Sequence, residues 1–266
     1  MAEKGRRAGG VHFLRFSAEQ RPHLAALLTL LLFAAPLCAQ SDIDFSPDIT
    51  EEEFRKFSRL VAQGIFASPV HPAGAAGILR FDIGLAATVV EIDTSASYWQ
   101  RAVGDDFSVG DDYLGLPRLV FVKGLGGATI AGTYAKISDT GITVWGGSVD
   151  LPIINGGLLR PTVALRGSYS TLRGVDVYRL KTYGLEGFIG KGIGPLTVYG
   201  GYGRMRSDAR GTIPETASTP EIILEDESNI DRITVGARFS LGLPRLVFEA
   251  TQAEEIMYSA KLSLGL

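Results

Sequence analysis

The chain has 266 residues, of which 45% are hydrophobic and 33 are glycine, with a formal net charge of −3. This length suits one large all-β domain or two small domains, and the hydrophobic content is low for a helical membrane protein. A net acidic chain argues against a nucleic-acid partner.

Residues 1–39 have the features of a signal peptide. Five basic residues precede an uncharged apolar run of 14 residues, Leu24 to Leu37, which is too short to cross a bilayer comfortably. Ala39 offers a small residue for cleavage before Gln40. Cleavage would remove five basic and two acidic residues, leaving 21 basic against 27 acidic, and would remove Cys38, the only cysteine. An uncleaved N-terminal anchor is the alternative.

Residues 40–77 are predicted to form a periplasmic segment with one helix, 51–66, and a Pro/Gly/Ala linker, 67–77. Thr50 and Glu53 have the spacing of a capping box. Five apolar residues then recur at helical spacing on one face: Phe54, Phe57, Leu60, Val61 and Ile65. The segment is therefore predicted to contain a short amphipathic helix.

From Ile78 the hydrophobic period changes to two, which is typical of strands with one apolar face. The pattern recurs to the last residue. Ten segments are predicted: 78–93, 115–123, 128–137, 142–151, 161–171, 180–191, 195–206, 229–241, 244–252 and 256–266. Each is long enough to cross a hydrocarbon layer, which takes about 9–11 tilted residues. Eight strands remain an alternative count.

The connections between these segments differ in length. The two longest are 94–114 and 207–228, whereas 124–127, 192–194 and 242–243 are short and glycine-rich. Long connections on one side and short ones on the other are typical of outer-membrane barrels. The short connection 138–141 and the longer 152–160 depart from this pattern.

A heptapeptide, Gly-Leu-Pro-Arg-Leu-Val-Phe, occurs twice, at 115–121 and 242–248. A duplication would predict equivalent strands, but the count of ten places the copies seven strands apart and antiparallel. Either the match is convergent strand-start chemistry, with proline at the first residue of a strand, or the count is wrong by one.

Together these features resemble a small Gram-negative outer-membrane β-barrel protein. They are the signal peptide, the alternating strands, the long outer loops and the final strand Met257–Leu266. That strand resembles the terminal signal read by the barrel-assembly machinery, although it ends in Leu266 where phenylalanine is typical. The resemblance covers 78–266 and is to a class, not to one functional family.

The resemblance implies an all-β fold: an antiparallel up-and-down transmembrane barrel in the cell outer membrane. It also implies contact with outer-membrane lipid and lipopolysaccharide, and with the barrel-assembly machinery during biogenesis. A soluble periplasmic β-protein is the alternative class, and oligomeric state is left open. Helix 51–66 is expected to pack on the periplasmic end of the barrel, with a lumenal plug or an interfacial helix as alternatives.

Catalysis and cofactors are not expected. General bases are most often histidine, and the three histidines are His12 and His23, within the signal peptide, and His71, interpreted as a linker residue on the periplasmic side. Connection 94–114 contains two pairs of aspartates that are weak candidates for metal ligands. Their spacing matches no EF-hand loop, and a solvated loop is the better interpretation. The aspartates are Asp105, Asp106, Asp111 and Asp112.

Alternation also predicts which charged side chains face the lumen. They are Arg80, Asp82, Arg118, Arg166, Glu186, Arg232, Arg238, Arg245, Glu249 and Lys261. Either they form a salt-bridged core that fills a narrow barrel, or they line a conduit that favours anions. The aromatic residues Trp145, Tyr134, Tyr169, Tyr183, Tyr202 and Tyr258 are predicted to form interfacial girdles.

Three functions remain open. The leading prediction is a small passive pore or transporter for a small solute. A closed structural or surface-interaction barrel without transport is the second. The third is a carrier of hydrophobic molecules resembling the fatty-acid transporter barrels, which would be favoured if helix 51–66 sits in an apolar cavity.

Overall fold

A computed structural model describes residues 43–74, 77–103, 113–137, 141–157, 159–215 and 220–266. The predicted signal peptide and the four aspartates of connection 94–114 lie outside these residues. The elements are α1 Glu51–Ile65, β1 Phe81–Glu91, α2 Ser97–Val103, β2 Tyr113–Gly124, β3 Thr129–Lys136, β4 Thr143–Ile154, β5 Thr162–Arg173, β6 Tyr178–Ile193, β7 Leu196–Ile213, β8 Ile222–Ser240, β9 Pro244–Gln252 and β10 Ile256–Gly265.

The ten strands close into one barrel in which each strand pairs antiparallel with its neighbours in the chain. Closure is made between β1 and β10, from Asp82 opposite Gly265 to Val90 opposite Met257. A closed barrel leaves no free strand edge within lipid. The predicted fold class is confirmed, and the alternative count of eight strands is wrong. No helix in the part of the chain that the structure describes is long and apolar enough to cross a membrane.

The outer surface of the barrel is apolar. Side chains that alternate outward, such as Leu85, Leu185 and Ile233, are 49%, 62% and 54% exposed, while their inward neighbours are buried. An apolar surface that continues around the barrel is far larger than soluble monomers expose, so lipid is its natural environment. Four of the predicted girdle residues form two contacting pairs, Tyr134 with Trp145 at 4.5 Å and Tyr169 with Tyr183 at 5.2 Å between ring centroids.

The two ends of the barrel differ. We call the end where β1 begins and β10 ends the terminal end, and the opposite end the loop end. At the loop end β7 and β8 continue to Ile213 and Ile222, so that they protrude as a hairpin. The prediction of a loop at 207–228 is wrong for most of its length. The outer face of the hairpin is charged, with ion pairs Arg204–Asp231, Arg206–Glu227 and Arg210–Glu225 at 2.8, 2.6 and 3.4 Å.

Helix α1 lies inside the barrel. Its capping box is formed, with the backbone nitrogen of Thr50 donating to Glu53 Oε2 at 3.0 Å and that of Glu53 donating to Thr50 Oγ1 at 3.3 Å. Beyond the first turn most of its residues are buried, including Ser58 and Gln63 off the apolar stripe, whereas Arg55 and Lys56 are exposed. It contacts β1, β2 and β5 to β8. The expectation that it packs on the periplasmic end is therefore wrong, and the lumenal plug is the arrangement found.

Connection 94–114 contains the short helix α2, which the sequence analysis missed. Seven residues give too few apolar positions to define a helical period. Trp99 of α2 packs on Phe57 of α1, with 5.7 Å between ring centroids, and is buried.

The repeated heptapeptide falls on β2 and β9. Pro244 is the first residue of β9, whereas Pro117 lies inside β2, opposite Ala87. With ten strands confirmed, the copies run antiparallel, and the alternative of a miscount by one is wrong. Both copies turn their arginine, Arg118 or Arg245, into the lumen.

Candidate functional site: the plugged lumen

The chain crosses the lumen between α1 and β1. From Ile65, near the loop end, residues 66–74 pass through the barrel interior toward the terminal end. Phe66, Val70 and Ala73 are buried, and Val70 is fully enclosed with a φ of 47°. A β-branched residue at positive φ is strained and persists only where its surroundings hold it. We call residues 43–74 the plug.

Arg118 on β2 binds the C-terminal end of α1. Its Nη2 donates to the carbonyl oxygen of Gly64 at 3.0 Å, and its Nη1 donates to that of Phe66 at 2.9 Å. A third hydrogen bond, at 3.1 Å, goes to Thr88 Oγ1. The last carbonyls of a helix lack partners within the helix and carry its partial negative charge. A buried guanidinium therefore takes the place of a C-terminal cap.

Arg166 on β5 binds the plug further along. It forms a two-pronged pair with Asp150 of β4, Nε to Oδ1 at 2.7 Å and Nη2 to Oδ2 at 3.0 Å. Nη2 also donates to the carbonyl oxygen of His71 at 2.9 Å. The guanidinium stacks over the ring of Phe188 at 4.7 Å. Because both charges are almost fully buried, removing either would leave the other unpaired in the interior.

Glu249 on β9 binds the plug through its negatively charged carboxylate. Its Oε1 accepts from the backbone nitrogen of His71 at 3.0 Å and from Tyr199 Oη at 2.6 Å, and its Oε2 accepts from Ser68 Oγ at 3.1 Å. The backbone nitrogen and carbonyl of one plug residue, His71, are thus held by two barrel side chains of opposite charge, Glu249 and Arg166.

Two further ion groups fill the lumen. Asp82 of β1 pairs with Lys261 at 3.0 Å and Arg245 at 3.1 Å, and it accepts from Ser263 Oγ at 2.9 Å. Arg232 pairs with Glu186 at 3.4 Å and lies over the ring of Phe66, 4.1 Å from its centroid. Each buried carboxylate here therefore has a basic or hydrogen-bond-donating neighbour, as a low-dielectric interior requires.

The ten charges predicted to face the lumen divide by position. Eight are buried inside the barrel, whereas Arg80 is exposed just before β1 and Arg238 is half-buried, both at the terminal end. Asp150 was missed, although the alternation through Ser148 already indicates its side. His71 lies in the segment that links α1 to β1, and this segment runs inside the barrel, where the ring of His71 is mostly buried with Nε2 3.9 Å from Asp150 Oδ2.

The N-terminal end of α1 is tied to α2 at the loop end. Arg101 pairs with Glu53 at 2.7 Å and with Asp48 at 3.3 Å, and the backbone nitrogen of Asp44 donates to the carbonyl of Ala102 at 3.1 Å. Hydrogen bonds from Ser97 and from the Thr50 backbone lower the pKa of Glu53 to about 2. The carboxylate is therefore charged across the physiological pH range and joins the two helices.

An apolar cavity of about 100 Å³ lies between α1, α2 and the wall formed by β1 to β5. Phe57, Val61 and Ile65 of α1 and Trp99 of α2 form one side. The barrel side consists largely of aliphatic side chains: Val90, Leu114, Leu116, Ile137, Ile142, Val144 and Leu172. Helix α1 therefore forms one wall of an apolar cavity.

Comparison with known proteins gives neither a family nor a relative. No protein-family model and no curated protein matches the chain. Solved structures of β-barrel proteins match it with low sequence identity and low TM-scores. Neisserial surface protein A has 11% identity and a TM-score of 0.28, and the match covers 72% of this chain and 96% of that one. The β-domain of the Bordetella autotransporter BrkA has 12% identity and a TM-score of 0.33, and the match covers 70% of this chain and 98% of that one. The Ralstonia pickettii toluene transporter TbuX has 9% identity and a TM-score of 0.30, and the match covers 86% of this chain and 95% of that one.

The class of the protein rests on its own strand pairing and surface. A closed ten-stranded antiparallel barrel with an apolar exterior and a charged interior is a transmembrane β-barrel of the outer-membrane kind. Within that class, this chain has a lumen occupied by its own N-terminal segment.

Proposed function

We propose that this protein is an outer-membrane carrier that binds a small apolar molecule at the loop end, on the cell exterior, and whose lumen is closed at rest by the plug. The observation that supports the proposal most is the apolar cavity between α1, α2 and the wall. The sidedness follows from the general rule that even-stranded bacterial barrels keep both termini in the periplasm.

The size and lining of the cavity suggest the ligand class. An engineered protein cavity of about 150 Å³ lined by aliphatic and aromatic side chains stays dry and binds benzene. At about 100 Å³, this cavity suits one small ring or a short alkyl chain. Phe57 and Trp99 offer aromatic faces on its helix side. Burial of apolar ligand surface, at roughly 25 cal/mol per Å², supplies the binding energy.

Passage beyond the cavity requires the plug to move. Arg118, Arg166 and Glu249 hold residues 64–71 across the interior. A passive pore for a small solute, the leading prediction from sequence, needs the same displacement and stays a prediction. The closed structural or surface-interaction barrel is the second candidate, favoured by these same contacts and by the protruding β7–β8 hairpin.

The chain offers its own reporter for ligand binding. It has two tryptophans. Trp99 lines the cavity, while Trp145 is 53% exposed on the outer surface. In a Trp145→Phe background, Trp99 fluorescence is read during titration with bromobenzene, a heavy-atom quencher. We expect a saturable component of quenching above the linear background that arises from bromobenzene dissolved in detergent.

A matched pair of variants locates the binding. Val61→Phe fills the cavity from α1, whereas Val149→Phe makes the same change on the outer surface, where Val149 is 44% exposed. We expect Val61→Phe to abolish the saturable component and Val149→Phe to keep it. Saturable quenching that is equal in both variants would overturn the assigned cavity. No saturable quenching in folded protein would move the assignment to the closed structural barrel.

A further inference from the structure

A second cavity, of about 280 Å³, opens at the terminal end below the plug. We call it the terminal vestibule. Its roof is plug residues His71 to Gly74, and its walls are the first residues of β1, the ends of β2 and β6, and the turns between strands. Gly124, Gly156, Gly157, Gly190 and Gly192 line it without side chains, so backbone surrounds much of the open space.

The charges in the terminal vestibule are unbalanced. Four arginines line it, from three separate parts of the chain, against one aspartate. The arginines are Arg80, Arg160, Arg238 and Arg245, and the aspartate is Asp82. Asp82 is already shared between Arg245 and Lys261, at 3.1 and 3.0 Å. Its single negative charge therefore leaves the other three arginines without compensation.

Those three arginines have guanidinium groups that are available for an anionic ligand. In the part of the chain that the structure describes, no carboxylate lies within ion-pair distance of Arg80, Arg160 or Arg238. Arg238 is half-buried; its Nη2 donates to Thr197 Oγ1 at 3.3 Å, and its buried Nε has no hydrogen-bond partner. Guanidinium groups bind phosphate and carboxylate groups through paired hydrogen bonds.

We propose that the terminal vestibule is a binding site for a multivalent anion bearing phosphate groups, held by Arg80, Arg160 and Arg238. Two sources carry this chemistry on the periplasmic side: a soluble phosphate compound and the headgroup of an anionic phospholipid. The site does not depend on the proposed carrier function, because its residues and its end of the barrel are different. A bound anion would neutralise the three arginines and lie directly beneath the plug.

Calorimetric titration of inorganic pyrophosphate into the refolded protein, in zwitterionic detergent at low ionic strength, tests the soluble source. We expect saturable binding that weakens about tenfold in Arg80→Gln and in Arg160→Gln. Both side chains are exposed, so the variants should fold. Arg206→Gln removes an arginine from the protruding hairpin, where its side chain is 55% exposed in its pair with Glu227, and this variant should bind like the wild type.

Native mass spectrometry of protein from cardiolipin and phosphatidylcholine nanodiscs tests the lipid source. Retention of cardiolipin, which carries two phosphate groups, that is reduced in Arg80→Gln and Arg160→Gln but not in Arg206→Gln would support the site with a headgroup as its ligand. Two results would overturn the proposal: no saturable binding in either arm by folded protein, or binding in which all three variants equal the wild type.

Discussion

Arg118 Nη2 donates to the carbonyl oxygen of Gly64 at 3.0 Å, which joins the barrel wall to the last turn of the plug helix. With the bonds of Arg166 and Glu249 to His71, this contact explains why an N-terminal segment stays inside the barrel. The lumen charges therefore hold the chain's own backbone.

Arg118→Met should loosen the plug. Methionine keeps much of the side-chain volume but leaves the carbonyls of Gly64 and Phe66 without a donor. Hydrogen bonds to charged groups contribute about 1.5–3 kcal/mol, so amide exchange in residues 64–74 should rise about tenfold or more, measured by hydrogen–deuterium exchange with mass spectrometry. Arg204→Met, on the outer hairpin, is the control. Unchanged exchange in Arg118→Met would show that the plug is held by other contacts.

Asp150→Asn should destabilise the barrel strongly. The substitution leaves Arg166 buried without its counter-charge, a loss of about 3–5 kcal/mol. Asp231→Asn breaks an exposed pair with Arg204 and should cost less than about 1 kcal/mol. The free energy of unfolding in urea is the measurement. Equal losses in the two variants would contradict the structural role given to the buried pair.

Val70 offers a test of backbone strain in the plug. At its φ of 47° an L-residue pays about 1–2 kcal/mol that glycine does not. Val70→Gly should therefore be at least as stable as Val70→Ala, despite the greater chain entropy of unfolded glycine. At Val120, which is buried in β2, the order should reverse, so that Val120→Gly is less stable than Val120→Ala. Urea unfolding of the four variants gives both orders, and glycine below alanine at both positions would show that Val70 is unstrained.

The contact of Glu53 with α2 should survive mild acid. Because folding lowers the pKa of Glu53 from 4.5 to about 2, its contribution is fully present above about pH 4.5. It is lost as the pH falls through about 2. In Trp145→Phe protein, Trp99 fluorescence should change little down to about pH 3 and then shift. Glu53→Gln should remove the part of the change that this carboxylate causes; a transition that is identical in Glu53→Gln protein would assign it to another group.

The barrel could be predicted because its strands alternate between lipid and interior, so that the sequence pattern follows the pleat. Nine of the ten inward charges belong to that alternation. Arg80 precedes β1, and its position was less well defined. The protruding hairpin was missed because its outer face is charged: beyond Tyr202 the outward residues pair as Arg204 with Asp231 instead of meeting lipid.

The plug could not be predicted from the helix pattern alone. Its apolar stripe fits a barrel end or a membrane surface as well as a lumen, and the buried Gln63 meets the backbone nitrogen of Glu255, which donates to its Oε1 at 3.2 Å, only in the closed barrel. The apolar cavity could not be predicted either. It lies between α1 and α2, and α2 is too short for a helical period to be recognised in the sequence. The terminal vestibule joins Arg80 and Arg160 from parts of the chain far apart in sequence.

Single-channel conductance of the refolded protein in planar bilayers, with folding checked by heat-modifiable gel mobility, tests most directly whether the plug closes the lumen. Wild-type protein should show no lasting steps, and Arg118→Met should show intermittent openings as the plug loosens. Steady steps from wild-type protein, with ion selectivity altered by Arg166→Ala or Arg238→Ala, would contradict a closed lumen and support the passive pore.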